Sequence, residues 1–157
     1  MRVYRIEREK YPDTTLKDTG AAYNEGHRWN SLRTYLLYTA ESRALAALEI
    51  AVHLDLSEDL PTDRHMVEIH IPDEIKILEL HVEDLLDGWD AKPPIIATQS
   101  IGDECVKMNQ AAVLKVPSSI LPPESNYLIN PHHPDAGRIT VISVTRFTFD
   151  SRFKQVL

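Results

Sequence analysis

Short apolar or alternating segments predict β-strands along the whole chain. The first, VYRIE, alternates between apolar and polar residues, and later segments such as RHMVEIHI combine β-branched residues with polar ones. The predicted strands cover residues 3–7, 34–39, 64–71, 75–80, 112–117 and 139–150. The Pro- and Asn-rich segment 118–138 between the last two is predicted to be a connection. The polar segment 10–30 is predicted to be irregular and is a candidate binding segment as much as a linker.

Residues 40–56, AESRALAALEIAVHLDL, carry the clearest helical pattern. Leu45, Leu48 and Val52 recur at three- and four-residue spacing, which is typical of one apolar helix face. Pro61 lies beyond the end of the pattern and fits a helix that has already stopped.

A second helix is predicted within residues 93–111, although Gly102 weakens the pattern. Asp103 and Glu104 are adjacent on it and would point in different directions, so we interpret them as solvated surface. Cys105 in the same segment is interpreted as a small core residue, because mid-helix cysteines are mostly of that kind.

The order of these elements predicts an α+β fold. Strands occur before, between and after the helices without regular alternation, so a doubly wound parallel sheet is not expected. The chain also lacks G-x-G-x-x-G and G-K-[ST] phosphate loops. We expect a single domain over residues 1–157, with a mixed, mostly antiparallel sheet and flanking helices.

Charge and cysteine content narrow the functional classes. The 157 residues include 24 acidic and 17 basic ones, for a net charge of −7, which argues against general nucleic-acid binding. A single cysteine excludes an internal disulfide. The N-terminal residues show no apolar leader segment, and no apolar run approaches membrane-spanning length, so a cytoplasmic protein without membrane contact is expected.

Two charged residues stand out as candidates for chemistry. Glu49 falls about 40° from Leu45 on a helical wheel, at the edge of the apolar stripe, where a carboxylate either lines a cleft or reaches water as a boundary residue. Arg28 precedes Trp29 in GHRWNS, and its guanidinium fits an anionic ligand or, alternatively, a surface contact over an aromatic ring.

Two hydroxyl residues accompany them. Tyr38 lies in an apolar run and is either a core residue or one wall of a pocket. Ser118 follows Pro117 at the end of a predicted strand, where turn capping is the simplest interpretation.

The histidines do not predict a metal site. His65 and His70 are an odd number of residues apart in a predicted strand and therefore face opposite sides. His132, His133 and Asp135 lie between prolines, where adjacent histidines rarely converge on one ion. The chain has no H-E-x-x-H motif and one cysteine, so we expect no zinc.

Three segments in order carry a family resemblance: GHRWNS, YLLYTAES with ALAALE, and VLKVPSSILPPESNYLINPHHPDAGRI. Together they resemble the RES-domain family, the toxin half of bacterial Xre–RES toxin–antitoxin modules. The motifs match at Arg28, Glu49 and Ser118, and the tyrosine of the second segment corresponds to Tyr38. The chain departs from the family at His27 and in SLRT, where glycines are common.

The resemblance implies a fold similar to ADP-ribosyltransferases and an enzyme that consumes NAD⁺ by hydrolysis or phosphorolysis of the nicotinamide–ribose bond. It implies that Glu49 stabilises the ribose cation and that Arg28 holds the pyrophosphate. It also implies that Tyr38 stacks on the substrate, while Ser118 orients the substrate or the carboxylate. No metal is needed.

The implied partners are a cognate Xre-type helix-turn-helix antitoxin and a second toxin copy in a larger complex. Protein ADP-ribosylation at the same site, or a non-catalytic interaction domain, are the alternatives that the sequence leaves open.

Overall fold

The described residues form one seven-stranded sheet with two α-helices. The computed structural model describes residues 1–8, 12–17, 26–55 and 60–156. The strands are β1 Arg2–Arg8, β2 Leu37–Ala40, β3 Arg64–His70, β4 Ile77–Glu79, β5 Val113–Pro117, β6 Ser125–Ile129 and β7 Thr140–Phe147. The α-helices are α1 Arg43–Ala51 and α2 Ile96–Met108, and 3₁₀ turns cover Pro12–Lys17, Val82–Asp84, Pro134–Arg138 and Ser151–Val156.

The sheet confirms the expected α+β class. Its strand order is β4-β5-β6-β2-β1-β3-β7. The β4–β5 pair is parallel, and the other neighbouring pairs are antiparallel. None of the helices in the described part of the chain combines the length and apolar character needed to cross a membrane.

The connection predicted over residues 118–138 is wrong in its centre, because β6 lies there. Tyr127, Leu128 and Ile129 are buried, and the strand pairs with both β5 and β2. Prolines flank these five residues on both sides, Asn130 follows them, and Asn126 is itself part of the strand. Tertiary burial therefore decides a segment whose local composition is typical of a loop.

The helix predicted over residues 40–56 is shorter than expected. Helix α1 ends at Ala51, and the last residue of the predicted range, Leu56, lies outside the described residues. Val52 is the C-cap and is 46% exposed, so the stripe of Leu45, Leu48 and Val52 is wrong at its last member. The buried face is formed by Leu45, Ala46 and Ala51.

Helix α1 is fixed on β1 and β2 by a cap and a small apolar cluster. The Ser42 hydroxyl accepts a hydrogen bond from the Leu45 amide at 3.0 Å and so satisfies one of the free amides of the first turn. Leu45 then packs with Ile6, Ala40 and Met66. The cap and the cluster set which way the next turn of the helix, with Glu49, faces.

Gly102 in α2 lets the helix approach residues 26–31. A Cβ atom at this position would lie 1.6 Å from the Trp29 carbonyl oxygen. Two hydrogen bonds join the same surfaces: Gln99 Nε2 donates to the His27 carbonyl at 3.0 Å, and the Ser31 amide donates to Asp103 at 2.9 Å. The interpretation of Asp103 as solvated surface is therefore wrong. Gly102, which weakens the helical pattern, is required because no side chain fits between α2 and the loop.

We expect Gly102→Ala to lower the free energy of unfolding by about 1–3 kcal/mol, because either α2 or the loop at Trp29 has to move. Denaturant unfolding followed by circular dichroism measures this. Gly137→Ala is the matched control, because a Cβ atom there meets nothing within 4 Å. Equal stability of the two variants would contradict the close approach of α2 to the loop.

Candidate active site

A cleft of about 740 Å³ opens beside α1 and β2. Arg28, Tyr38 and Glu49 line it together, although they come from a loop, a strand and a helix. A volume of this size falls within the usual range of about 300–1,000 Å³ for small-molecule sites. The structure thus brings three of the four predicted site residues to one cleft, and the fourth, Ser118, is buried and hydrogen-bonded to Glu49.

Glu49 is held by two neutral hydrogen-bond donors. The Ser118 hydroxyl donates to Glu49 Oε1 at 2.9 Å, and Asn126 Nδ2 donates to the same oxygen at 2.6 Å. In the part of the chain that the structure describes, Oε2 receives no hydrogen bond. One carboxylate oxygen is therefore fixed by the protein, while the other can meet a ligand.

Ser118 caps a turn, as its sequence position suggested, and also contacts Glu49. The side chain is 0% exposed, and its oxygen accepts hydrogen bonds from the amides of Ile120 and Leu121, each at 3.1 Å, while donating to Glu49. A hydroxyl has one donor and two acceptor sites, so its capacity is used completely. The geometry favours Ser118 as a positioning residue for Glu49 over a direct contact with a ligand.

Arg28 is a half-buried guanidinium that uses only part of its capacity. Nη1 donates to the carbonyl oxygens of Trp89 at 2.7 Å and Ala91 at 3.0 Å. Burial lowers the pKa of Arg28, and the carboxylates of Asp90 and Glu49 partly oppose this shift. Nη2 and Nε have no hydrogen-bond partner among the described residues, so both remain available for an anion.

Trp29 is a core residue, so the alternative of a surface arginine over an exposed aromatic ring is wrong. Its side chain is 2% exposed and stacks on Trp89, with ring centroids 6.2 Å apart and an interplanar angle of 29°. The stack joins the loop of Arg28 to the loop that accepts the Arg28 hydrogen bonds. Arg28 is thus anchored through its neighbour as well as through its own side chain.

Tyr38 is both a cleft wall and a tie to the Arg28 loop. Its hydroxyl donates to Asn30 Oδ1 at 2.6 Å and accepts from the Trp29 amide at 3.1 Å. Burial raises the pKa of Tyr38, and the hydrogen bond from Trp29 opposes the shift only in part. The neutral ring, which His27 meets edge-on at 5.5 Å, suits stacking rather than proton abstraction.

Sequence reasoning missed Asn126 and Arg5. Asn126 lies in β6, directly opposite Ala40 of β2. Because the sequence pattern predicts no strand at β6, it could not predict this pairing. Arg5 lines the cleft from β1, donates to the Tyr38 carbonyl at 3.0 Å and forms an ion pair with Glu7. Strand alternation gives no signal for Arg5, because it places Arg5 on the opposite face from Tyr4 and Ile6, although all three residues line the cleft.

No group of three or more His, Cys, Asp or Glu residues is placed to share a metal ion within the described ranges.

Comparisons with known proteins match almost the whole chain. The model of the RES domain family matches residues 2–150. The chain is 41% identical over 145 residues to the Prs ADP-ribosylating toxin of Sphingobium sp. (strain YBL2), covering 90% of this chain and 88% of that protein. It is 35% identical over 154 residues to Toxin Res of Photorhabdus laumondii subsp. laumondii, covering 97% and 96%.

A solved structure gives the same fold at low identity. The chain superposes on the M. tuberculosis MbcT-MbcA toxin-antitoxin complex with a TM-score of 0.71 and 16% identity, over 99% of this chain and 87% of that one. At this identity the likeness concerns the fold.

Ser118→Ala should lower the free energy of unfolding by about 1–3 kcal/mol, because the Ile120 and Leu121 amides and one Glu49 oxygen lose a buried partner. Thermal and urea unfolding of the purified variant measure the loss. The control is Ser119→Ala, a neighbouring serine without a side-chain hydrogen bond to the described residues. A Ser118→Ala protein as stable as the control would mean that these bonds do not hold the turn.

Proposed function

The chain belongs to the RES domain family, and we propose on this premise that it is a toxin of a toxin–antitoxin pair that cleaves the nicotinamide–ribose bond of NAD⁺. Glu49, Arg28 and Tyr38 would contact the substrate, and Ser118 would hold Glu49. Loss of cellular NAD⁺ would then arrest growth.

The proposal rests on two charged groups that line the same cleft. Glu49 uses only Oε1 in hydrogen bonds to the described residues, and Arg28 uses only Nη1. Cleavage of NAD⁺ can use both the positive charge of Arg28 and the negative charge of Glu49. Its pyrophosphate carries two negative charges, and its ribose becomes positively charged as the glycosidic bond breaks.

In the proposed step, the bond between ribose C1′ and the nicotinamide ring nitrogen breaks. The bonding electron pair leaves with the ring, which becomes neutral nicotinamide, and C1′ becomes part of an oxocarbenium ion. Glu49 Oε2 would stabilise this charge or bind a ribose hydroxyl, because Oε1 is held by Ser118 and Asn126. A nucleophile then bonds to C1′ and loses its proton.

The cationic side of the cleft suits the phosphates. Arg28 offers Nη2 and Nε in the planar arrangement that binds phosphate oxygens in pairs. Tyr38 offers a neutral aromatic ring in the same cleft. Its ring could stack on nicotinamide or pack on the ribose.

The nucleophile divides the proposal into two candidates. Water or phosphate would give free ADP-ribose or its phosphate ester and would deplete NAD⁺. A protein side chain would instead be ADP-ribosylated, and the name of the 41% identical Sphingobium relative, an ADP-ribosylating toxin, favours keeping this second candidate. Both share the same bond cleavage and the same residues.

An antitoxin completes the proposed system. We propose a cognate Xre-type helix-turn-helix antitoxin that binds DNA while this acidic chain does not, and a toxin homodimer within the larger complex. The fold likeness to the toxin–antitoxin complex of M. tuberculosis is compatible with such a partner.

Glu49→Gln should reduce nicotinamide release from NAD⁺ about 100-fold or more, because the amide keeps the shape and loses the charge that stabilises the cation. Chromatography of the reaction mixture measures nicotinamide, ADP-ribose and its phosphate ester. Glu104→Gln, the same change at an exposed position of α2, should react like wild type. Undiminished release by Glu49→Gln would sink the assigned role.

Label on the phosphates of NAD⁺ separates the two candidates. Label in free ADP-ribose or its phosphate ester supports NAD⁺ degradation, whereas label retained on a protein supports transfer to a target. If wild type gives neither product, the non-catalytic alternative gains support.

Induction in cells that lack the antitoxin should deplete NAD⁺ and stop growth for wild type but not for Arg28→Ala or Glu49→Gln, because each substitution removes one of the two charges. Extracted NAD⁺ and growth are measured in parallel, with Glu104→Gln as the active control. Growth arrest with intact NAD⁺ would contradict degradation and favour modification of a target. Equal harmlessness of wild type and Glu49→Gln would favour an interaction domain.

A further inference from the structure

The loop that holds Arg28 carries a cation that the proposed function leaves unused. Lys92 lines the same cleft and directly follows Ala91, whose carbonyl oxygen accepts a hydrogen bond from Arg28. Its side chain is exposed and has neither an ion pair nor a hydrogen bond with the described residues. An ammonium group on a cleft wall without a protein partner is available to an anionic ligand.

Arg28 fixes this loop from inside the cleft. Both hydrogens of Nη1 are used, one on the Trp89 carbonyl at 2.7 Å and one on the Ala91 carbonyl at 3.0 Å. Trp89 is buried and stacks on Trp29, so the loop is also anchored by packing. The backbone immediately before Lys92 is therefore tied to the guanidinium that faces the ligand.

A second cation in the cleft would balance the charge of the pyrophosphate better than Arg28 alone. Under the proposed function Glu49 serves the ribose, and Arg28 alone faces a pyrophosphate with two negative charges. Arg5 is already neutralised by its ion pair with Glu7. The carboxylates of Asp90 and Glu49 both act on Arg28, which reduces its net positive field and makes a further cation useful.

We propose that Lys92 binds a phosphate of the dinucleotide and that Arg28 positions it through the Trp89 and Ala91 carbonyls. The inference rests on the proposed function and adds a binding residue for the same substrate. Arg28 would thereby act twice, as a direct phosphate ligand through Nη2 and Nε and as the support of the loop through Nη1.

Isothermal titration with ADP-ribose, which carries both phosphates but no scissile nicotinamide bond, tests the contact directly. Lys92→Met should raise the Kd about tenfold, equivalent to about 1.4 kcal/mol. High salt should shrink the difference, because the lysine is exposed and its charge is screened. Lys76→Met, at an exposed lysine outside the cleft, should bind like wild type.

Turnover gives a second readout. Lys92→Met should raise KM for NAD⁺ about as much as it raises Kd and should change kcat less than about twofold, because the contact is equally strong in substrate and transition state. Unchanged Kd and KM in Lys92→Met would overturn the assignment. Binding of adenosine, which lacks phosphates, should be unaffected, and a weakened adenosine complex would equally overturn it.

The positioning role is tested with Arg28→Met alone and combined with Lys92→Met. If Arg28 holds the loop, Lys92→Met should cost less affinity in the Arg28→Met background than in wild type. Strictly additive losses would overturn the positioning role.

The assignment and the proposed function fail differently. If wild type binds ADP-ribose and releases nicotinamide while Lys92→Met matches it, only the Lys92 assignment fails. If wild type does neither, the proposed function fails, and the inference fails with it.

Discussion

The candidate site depends on the paired hydrogen bonds from Ser118 and Asn126 to one oxygen of Glu49. They join α1 to the end of β5 and to β6, segments that are 69 and 77 residues away along the chain. Hydrogen bonds to a charged group contribute about 1.5–3 kcal/mol each, and an unpaired buried carboxylate would be costly. The same contacts that make the half-buried position of Glu49 acceptable also direct its second oxygen to the cleft.

The loop of Arg28, which lines the same cleft, is supported independently of Glu49. The loop of Arg28 is held by α2 through Gly102 and Asp103, by β2 through the Tyr38 hydroxyl, and by Trp89 through stacking. The supports use backbone groups and packing and leave Nη2 and Nε of the guanidinium without a partner in the described part of the chain. Two separately supported side chains thus present opposite charges to one cavity, and such preorganised charges can stabilise charge that develops in a bound substrate.

Local patterns in the sequence predicted the sheet class and α1, and the edge position of Glu49 followed from helical spacing alone. The same reasoning failed for β6, where the Pro- and Asn-rich composition of the segment outweighed five residues whose burial is decided by β2 and β5. It also failed for Val52, because a helix end is set by its cap rather than by the apolar spacing. The partners of Arg28 are carbonyl oxygens 61 and 63 residues away, and every residue type carries a carbonyl, so no residue pattern could identify them.

The choice of neutral donors around Glu49 has an electrostatic consequence. A cation in the place of Ser118 and Asn126 would hold the carboxylate equally well but would neutralise it. An amide and a hydroxyl fix the geometry and leave the negative charge to act on the cleft. Arg28 is likewise held by neutral groups, because its Nη1 donates to two backbone carbonyl oxygens and no carboxylate accepts a hydrogen bond from it among the described residues. Opposite charges therefore line one cavity without a direct ion pair between Arg28 and Glu49 in the described part of the chain, and a substrate with anionic phosphates and a ribose that becomes cationic can use both at once.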